Sequence, residues 1–230
     1  MNTDNIKPEL VLPNLYYIKH SDPGAVKAGL ATNTFILINN GKALIMDASS
    51  DYLFDPIKEV IGAELEVAGF IYSHSHVVAN GNYISAFKQE FNAPFFLHPT
   101  DQAYFRGFEF LNPVNHPVIN DFNIEIIHFP GHTPGHIMLY NPANAGLLLA
   151  GDAAMGPTDE QTQNGMERLI RVPARLSYDD ELIRQNWLAF DKPVSHVAPY
   201  HGTIYINKQE TLPQIMKPLT RVEITHGLMG

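Results

Sequence analysis

Cysteine is absent from this 230-residue chain, which also lacks long apolar runs and clusters of positive charge. Without cysteine there is no disulfide framework and no thiolate ligand for a metal. No stretch approaches the ~20 apolar residues of a membrane span, and Met1 to Leu12 lacks the apolar core of a signal peptide or anchor. We therefore expect a cytoplasmic protein that does not bind membranes.

Positive charge is scarce, because 15 Lys and Arg stand against 24 Asp and Glu and give a net charge of -9. Nucleic-acid affinity comes mainly from neutralised phosphates, so we expect a small-molecule substrate and neither RNA nor DNA as a partner. Self-association to a homo-oligomer is left open. The length and the 45% hydrophobic content suit one well-cored domain spanning residues 1–230.

Strand and helix patterns alternate along the chain, which predicts an α/β protein. The turn Asn39, Asn40, Gly41 predicts a β-hairpin near the start of the fold. Two sheets covered by helices would suit the order of the elements. We predict strands at 15–18, 34–38, 43–46, 68–72, 94–97, 124–129, 137–140, 147–150 and 194–198, and helices at 54–63, 83–91, 181–190 and 208–216.

Four histidines and one aspartate lie where predicted strands give way to loops. They are His74 and His76 after 68–72, His132 after 124–130, Asp152 after 147–151 and His201 after 194–200. Ligands from four separate segments can meet only at one end of a sheet. Imidazole and carboxylate are ligands of zinc, iron and manganese, so the pattern predicts a metal site there.

The local sequence around these residues supports the same interpretation. His74 and His76 are two positions apart, which places both imidazoles on one side of an extended backbone. His132 lies in the stretch GHTPGH, where glycines let the backbone pass close to a site and proline stiffens the turn. Asp152 ends a run of leucines, where an unpaired carboxylate would be costly without a cation.

In these motifs the chain resembles the metallo-β-lactamase-fold superfamily, particularly its glyoxalase II-like hydrolases. The resemblance covers about residues 33–202 and rests on Asp47, the paired histidines, the GHTPGH stretch, the Gly151, Asp152 pair and His201. It implies a four-layer αββα sandwich with the metal site at one edge of the facing sheets. It also implies that His74, His76 and His132 hold a first metal. Asp152 would bridge this metal to a second one, and His201 would be a ligand of the second metal.

The chain departs from this family at the second metal site. Val78 and Ala79 stand where such hydrolases usually have aspartate and histidine ligands. Asp152 and His201 alone are too few for a tetrahedral zinc held by protein ligands, so we expect one metal per chain. Zinc is the expected ion, although iron or manganese would suit the same ligands. Since the missing aspartate would also orient the attacking water, Asp152 becomes the candidate catalytic residue.

Three classes of function fit these residues. The first is a hydrolase of an ester, thioester or lactone, in which the metal lowers the pKa of its bound water toward ~7. The second is a mononuclear non-haem iron oxygenase resembling persulfide dioxygenases, because His74, His132 and Asp152 form a two-histidine, one-carboxylate set. The third is a binding protein that kept the fold and lost turnover.

Other polar and aromatic residues receive weaker assignments. Asp47 is expected to organise loops through backbone N–H groups, and His136 to hydrogen-bond within its own loop. The polar stretch 156–177 is long for a loop and is a candidate cap over the site. The candidate substrate-binding residues are His98, Phe105, Arg106 and Arg171.

Overall fold

A computed structural model describes residues 6–21, 29–79, 82–103, 105 and 108–222. The strands are β1 Pro8–Leu12, β2 Leu15–His20, β3 Thr32–Asn39, β4 Lys42–Met46, β5 Glu66–Ile71, β6 Phe95–Phe96, β7 Glu125–His128, β8 Ile137–Asn141, β9 Leu147–Met155 and β10 His196–His201. The α-helices are α1 Phe54–Ile61, α2 Asn82–Phe91, α3 Pro99–Gln102, α4 Pro117–Asn120, α5 Asp159–Gln163, α6 Asp180–Ala189 and α7 Leu212–Met216. In the described part of the chain, none of the helices is long and apolar enough to cross a bilayer.

The strands follow one hydrogen-bonded path, in the order β6-β5-β4-β3-β10-β9-β8-β7, with β2 pairing β3 and β1 pairing β2. Its N-terminal and C-terminal halves meet where β3 pairs with β10, through the single residue pair Thr32 and His201. Each half is otherwise a sheet of its own, so the path can fold into two facing layers.

Buried side chains divide into three clusters that define the layers. The central cluster joins the two halves of the sheet, with Phe35 and Leu44 on one side and Leu139 and Leu149 on the other. A second cluster packs α1 and α2 against the N-terminal half. A third packs α6 and α7 against the C-terminal half. These contacts give the four-layer αββα order that the family resemblance implies.

Some element boundaries differ from the sequence prediction. The added strand β1 precedes the predicted hairpin, β10 begins at His196 and includes His201, and the last helix is confined to Leu212–Met216. Asp152 lies inside β9 rather than after it. The register changes at Gly151, which has a φ of 52°. The chain therefore continues as a bulged strand, although the Gly-Asp pair in the sequence suggests that the strand ends there.

Candidate metal centre

Three histidines converge at one end of the sandwich. His74, His76 and His132 each offer a ring nitrogen, and these atoms all lie within 4.8 Å of one another. The Nδ1 atom of His76 is 2.9 Å from the Nε2 atom of His132. His74 and His132 are buried, whereas His76 is exposed. The loop after β5 and the loop after β7 therefore bring the predicted triad together.

Asp152 directs one carboxylate oxygen at the same point. Its Oδ2 atom lies 3.6 Å from Nε2 of His74 and 3.5 Å from Nε2 of His132. Nε2 of His201 is 3.8 Å from the same oxygen. The structure thus brings all five predicted ligands close together, with His201 joined to the group through Asp152.

The donor atoms fit a tetrahedral metal such as zinc. Nitrogens bound to zinc at about 2.0–2.1 Å would lie about 3.4 Å apart, close to the separations between Asp152 and the two buried histidines. Nε2 of His74 and Oδ1 of Asp152 are buried and have no hydrogen-bond partner among the described residues. Buried polar atoms without partners are costly, and a bound cation would satisfy them.

The surroundings keep the buried imidazoles neutral, which is the form that binds metals. Burial, reinforced by the neighbouring His132 and His136, lowers the pKa of His74 well below its usual range. Burial also lowers the pKa of His132, and the carboxylate of Asp152 opposes that shift.

Further hydrogen bonds orient the triad. The hydroxyl of Ser73 lies 2.9 Å from Nδ1 of His74, which leaves Nε2 for the metal. Asp47 accepts the backbone N–H of Ser73 at 2.7 Å, in line with a loop-organising carboxylate, and burial raises its pKa to about 7. His136 was expected to bond within its own loop, but its Nε2 instead accepts the backbone N–H of Asp152 at 3.0 Å.

Asp101 is a buried residue of the site that the sequence analysis missed. One carboxylate oxygen accepts the N–H of Ser75 at 2.8 Å and the hydroxyl of Thr133 at 2.7 Å. The other oxygen accepts the N–H of Gly135 at 2.7 Å. Asp101 therefore ties the loop of His74 and His76 to the loop of His132. Its position after β6, beside His98, was the available signal.

Asn33 plays a similar part near His201. Its buried amide donates to the carbonyls of Pro199 at 2.9 Å and Gly202 at 2.8 Å. The hydroxyl of Tyr17 donates to its side-chain oxygen at 3.1 Å. These bonds fix the end of β10, where His201 is placed.

The described residues offer few ligands to a second metal. Val78 is fully buried and belongs to the apolar cluster under α1 and α2. Among the described residues, the histidine triad is the one group of three or more candidate ligands. Asp152 and His201 are what the described chain offers to a second ion.

A cavity of about 670 Å³ opens beside the triad. Phe105 lies in its wall, together with the last part of the stretch predicted as a cap. The earlier part of that stretch pairs with β9 through Met155 and Ile170, so only its end reaches the site. The lining residues are Ser75, His76, Ala79, Phe105, His132, Thr133, Pro134, Arg175, Leu176, Ser177 and Tyr178.

Two of the remaining substrate-binding candidates, Arg171 and His98, do not line this cavity. Arg171 is buried and forms a two-point ion pair with Asp180, so its guanidinium is occupied in holding α6. His98 stacks on His128 with the ring centres 4.2 Å apart and accepts the N–H of Thr100 at the start of α3. Arg106 lies outside the described residues.

Sequence comparison gives partial matches. No family model matches the chain. A protein of uncharacterised function from Aquifex aeolicus is 26% identical over 133 residues, covering 49% of this chain and 60% of that protein. A hydroxyacylglutathione hydrolase from Pseudomonas aeruginosa is 40% identical over 58 residues, covering 22% of each chain. The chain thus spans less than two thirds of these curated relatives.

Structural comparison covers nearly the whole chain. The DIM-1 metallo-β-lactamase superposes with a TM-score of 0.68 at 18% identity, covering 94% of both chains. A metallo-β-lactamase from Pontibacter korlensis gives a TM-score of 0.67 at 14% identity, covering 95% of this chain and 100% of that one. With its four layers and its site at one edge of the facing sheets, this chain has the metallo-β-lactamase fold.

Proposed function

We propose that the protein is a metal-dependent hydrolase that holds one zinc ion and cleaves an ester, thioester or lactone-type small molecule. The observation that carries the proposal is a set of converging, partly unsatisfied donors, His74, His76, His132 and Asp152, beside an open cavity. A catalytic zinc site keeps a position open toward solvent. The exposed His76 and the cavity next to it provide that opening.

Each group in the site has a separate role in hydrolysis. Bound zinc would polarise the acyl carbonyl and lower the pKa of a water molecule toward ~7. Asp152 would then hold the attacking water rather than complete the zinc coordination, and its Oδ2, 3.6 Å from Nε2 of His74 and 3.5 Å from Nε2 of His132, would accept the proton that this water loses. The water oxygen bonds to the acyl carbon, the bond from that carbon to oxygen or sulfur breaks, and the proton passes to the leaving atom. The cavity wall positions the substrate for this attack.

An iron oxygenase is the second candidate, because His74, His132 and Asp152 would form a two-histidine, one-carboxylate set. The 2.9 Å approach of His76 to His132 favours a third histidine ligand and therefore zinc. A binding protein without turnover is the third candidate. Metal identity and hydrolysis assays separate the three.

The test is hydrolysis of a panel of simple esters, thioesters and lactones by the zinc-loaded protein. We expect turnover that a chelator removes and that His132→Ala abolishes. His116→Ala is the matched control, since His116 caps α4 rather than lining the cavity, and it should leave turnover unchanged. A zinc-loaded protein that cleaves none of the panel would support the binding interpretation instead.

A further inference from the structure

We infer that Arg175 binds a carboxylate of the substrate, so that the hydrolase acts on acyl compounds that are themselves anions. This inference rests on the proposed function and names its substrate class. Arg175 is the one described residue lining the cavity that carries a permanent charge. The described part of the cavity wall contains no Asp or Glu.

The guanidinium of Arg175 is available for a ligand. Arg175 is exposed, and it has no ion pair or hydrogen bond from its side chain to any described residue. Its neighbour Arg171 shows the contrast, because Asp180 and two backbone carbonyls occupy its guanidinium. A planar guanidinium matches a carboxylate in two-point geometry.

Backbone hydrogen bonds hold the segment of Arg175 against the metal centre. The N–H of Tyr178 donates to the carbonyl of His132 at 3.1 Å, and the N–H of Asp179 donates to the carbonyl of Gly131 at 2.8 Å. Within the segment, Leu176 bonds back to Pro173 at 2.8 Å. The backbone that carries Arg175 is therefore held against the loop of His132.

Apolar side chains flank the charge. Leu176 is 53% exposed and Tyr178 is 73% exposed, and both line the cavity with Phe105. Exposed large apolar groups beside a cavity are typical of ligand contacts. Together these residues suit a substrate with a carboxylate at one end, an apolar portion, and the scissile acyl group between Arg175 and the triad.

The electrostatic setting makes this recognition selective. The chain carries a net charge of -9, which repels anions in general. At the cavity Arg175 offers a substrate carboxylate a compensating positive charge that is separate from the metal site. A neutral analogue gains no binding energy from the charge of Arg175, so the carboxylate distinguishes a substrate from a non-substrate.

The experiment measures binding rather than turnover. Cobalt-substituted protein is titrated with straight-chain mercaptocarboxylates and with mercaptoalcohols of equal length, and the thiolate-to-cobalt absorption band reports binding. We expect the best-fitting carboxylate to bind about tenfold more tightly than its alcohol, the scale of a hydrogen bond between charged groups. Arg175→Gln should remove this preference and leave the alcohol affinity unchanged, while Arg175→Lys should keep part of it.

Arg168→Gln is the control, because it removes the same charge from a residue that lines a different cavity beside Gly156. It should keep the full preference. Equal affinities for carboxylate and alcohol in the parent protein, or a preference that survives Arg175→Gln, would overturn the role of Arg175 alone. Failure to take up cobalt at the triad would overturn the proposed function and this inference together.

Discussion

At the scale of single residues, Asp101 determines how well the histidines are placed. It accepts three hydrogen bonds from two loops that are 26 to 34 residues away from it in sequence. Partners of this kind fix the orientation of metal ligands, and their loss typically weakens metal binding by about tenfold to a hundredfold.

Asp101→Asn should therefore weaken zinc binding by about tenfold to a hundredfold. An amide cannot accept all three hydrogen bonds, because its nitrogen would face either Ser75 and Thr133 or Gly135. Zinc affinity is measured by competition with a chelating dye, and thermal unfolding of the metal-free protein is followed in parallel. The control Asp121→Asn alters an exposed carboxylate that lies near Lys42. Unchanged zinc affinity in a folded Asp101→Asn protein would refute the positioning role.

Val78 explains at the same scale why one metal is expected. Its side chain is fully buried in the cluster under α1 and α2, so an aspartate placed there would be a buried charge without a partner. Restoring the second site thus requires changing the loop backbone as well as exchanging side chains.

At the scale of elements, the bulge in β9 aims Asp152. Gly151 has a φ of 52°, and an added Cβ would lie 2.6 Å from Cβ of Ser73 and 2.7 Å from Nε2 of His136. This strand therefore crosses the site with no room for a side chain next to Asp152.

Gly151→Ala should cost more stability than Gly165→Ala, although both residues have positive φ. Gly165 has a φ of 79° and open space around it, so its substitution carries only the backbone strain of about 1–2 kcal/mol. Gly151→Ala adds overpacking of about 1–3 kcal/mol and displaces Asp152, so it should also weaken zinc binding. Urea unfolding and zinc titration check both effects. Equal losses in the two variants would contradict this account of the bulge.

The strands, helices and loops also show which features could be predicted from the sequence. The clustering of His74, His76 and His132 could be predicted because each follows an apolar strand and strand ends meet at one edge. The part played by Asp101 could not, because its hydrogen bonds join loops from distant segments. Asp152 was placed after its strand because a bulge is a backbone conformation that the Gly-Asp pair does not reveal. The sequence suggested Arg171 as a substrate-binding residue, because it does not show that Arg171 pairs with Asp180. That ion pair forms only when α6 packs in place.

At the scale of the whole molecule, buried histidines make stability depend on pH. Burial lowers the pKa of His20 to about 3 from its usual value of 6.5. Its ring nitrogens lie 3.0 Å from the hydroxyl of Tyr52 and 3.1 Å from that of Thr34. The unfolded chain binds the proton more readily than the folded chain, so this contribution is present above pH 6.5 and is lost as the pH falls toward 3.

His20→Gln should therefore flatten the pH dependence of unfolding in the metal-free protein. Below about pH 6.5, the slope of the free energy of unfolding against pH should be smaller than in the parent by up to about 1.4 kcal/mol per pH unit. Urea unfolding at a series of pH values measures it, with His116→Gln as the control. A slope identical to that of the parent would show that His20 is not the buried neutral group described.

Metal stoichiometry tests the central claim most directly. Elemental analysis of the purified protein, combined with anomalous scattering from crystals, gives the identity, number and position of the bound ions. The account predicts about one zinc per chain, lying between His74, His76, His132 and Asp152, and none in the His132→Ala variant. Two fully occupied ions, or an ion bound elsewhere with the histidine triad empty, would contradict it.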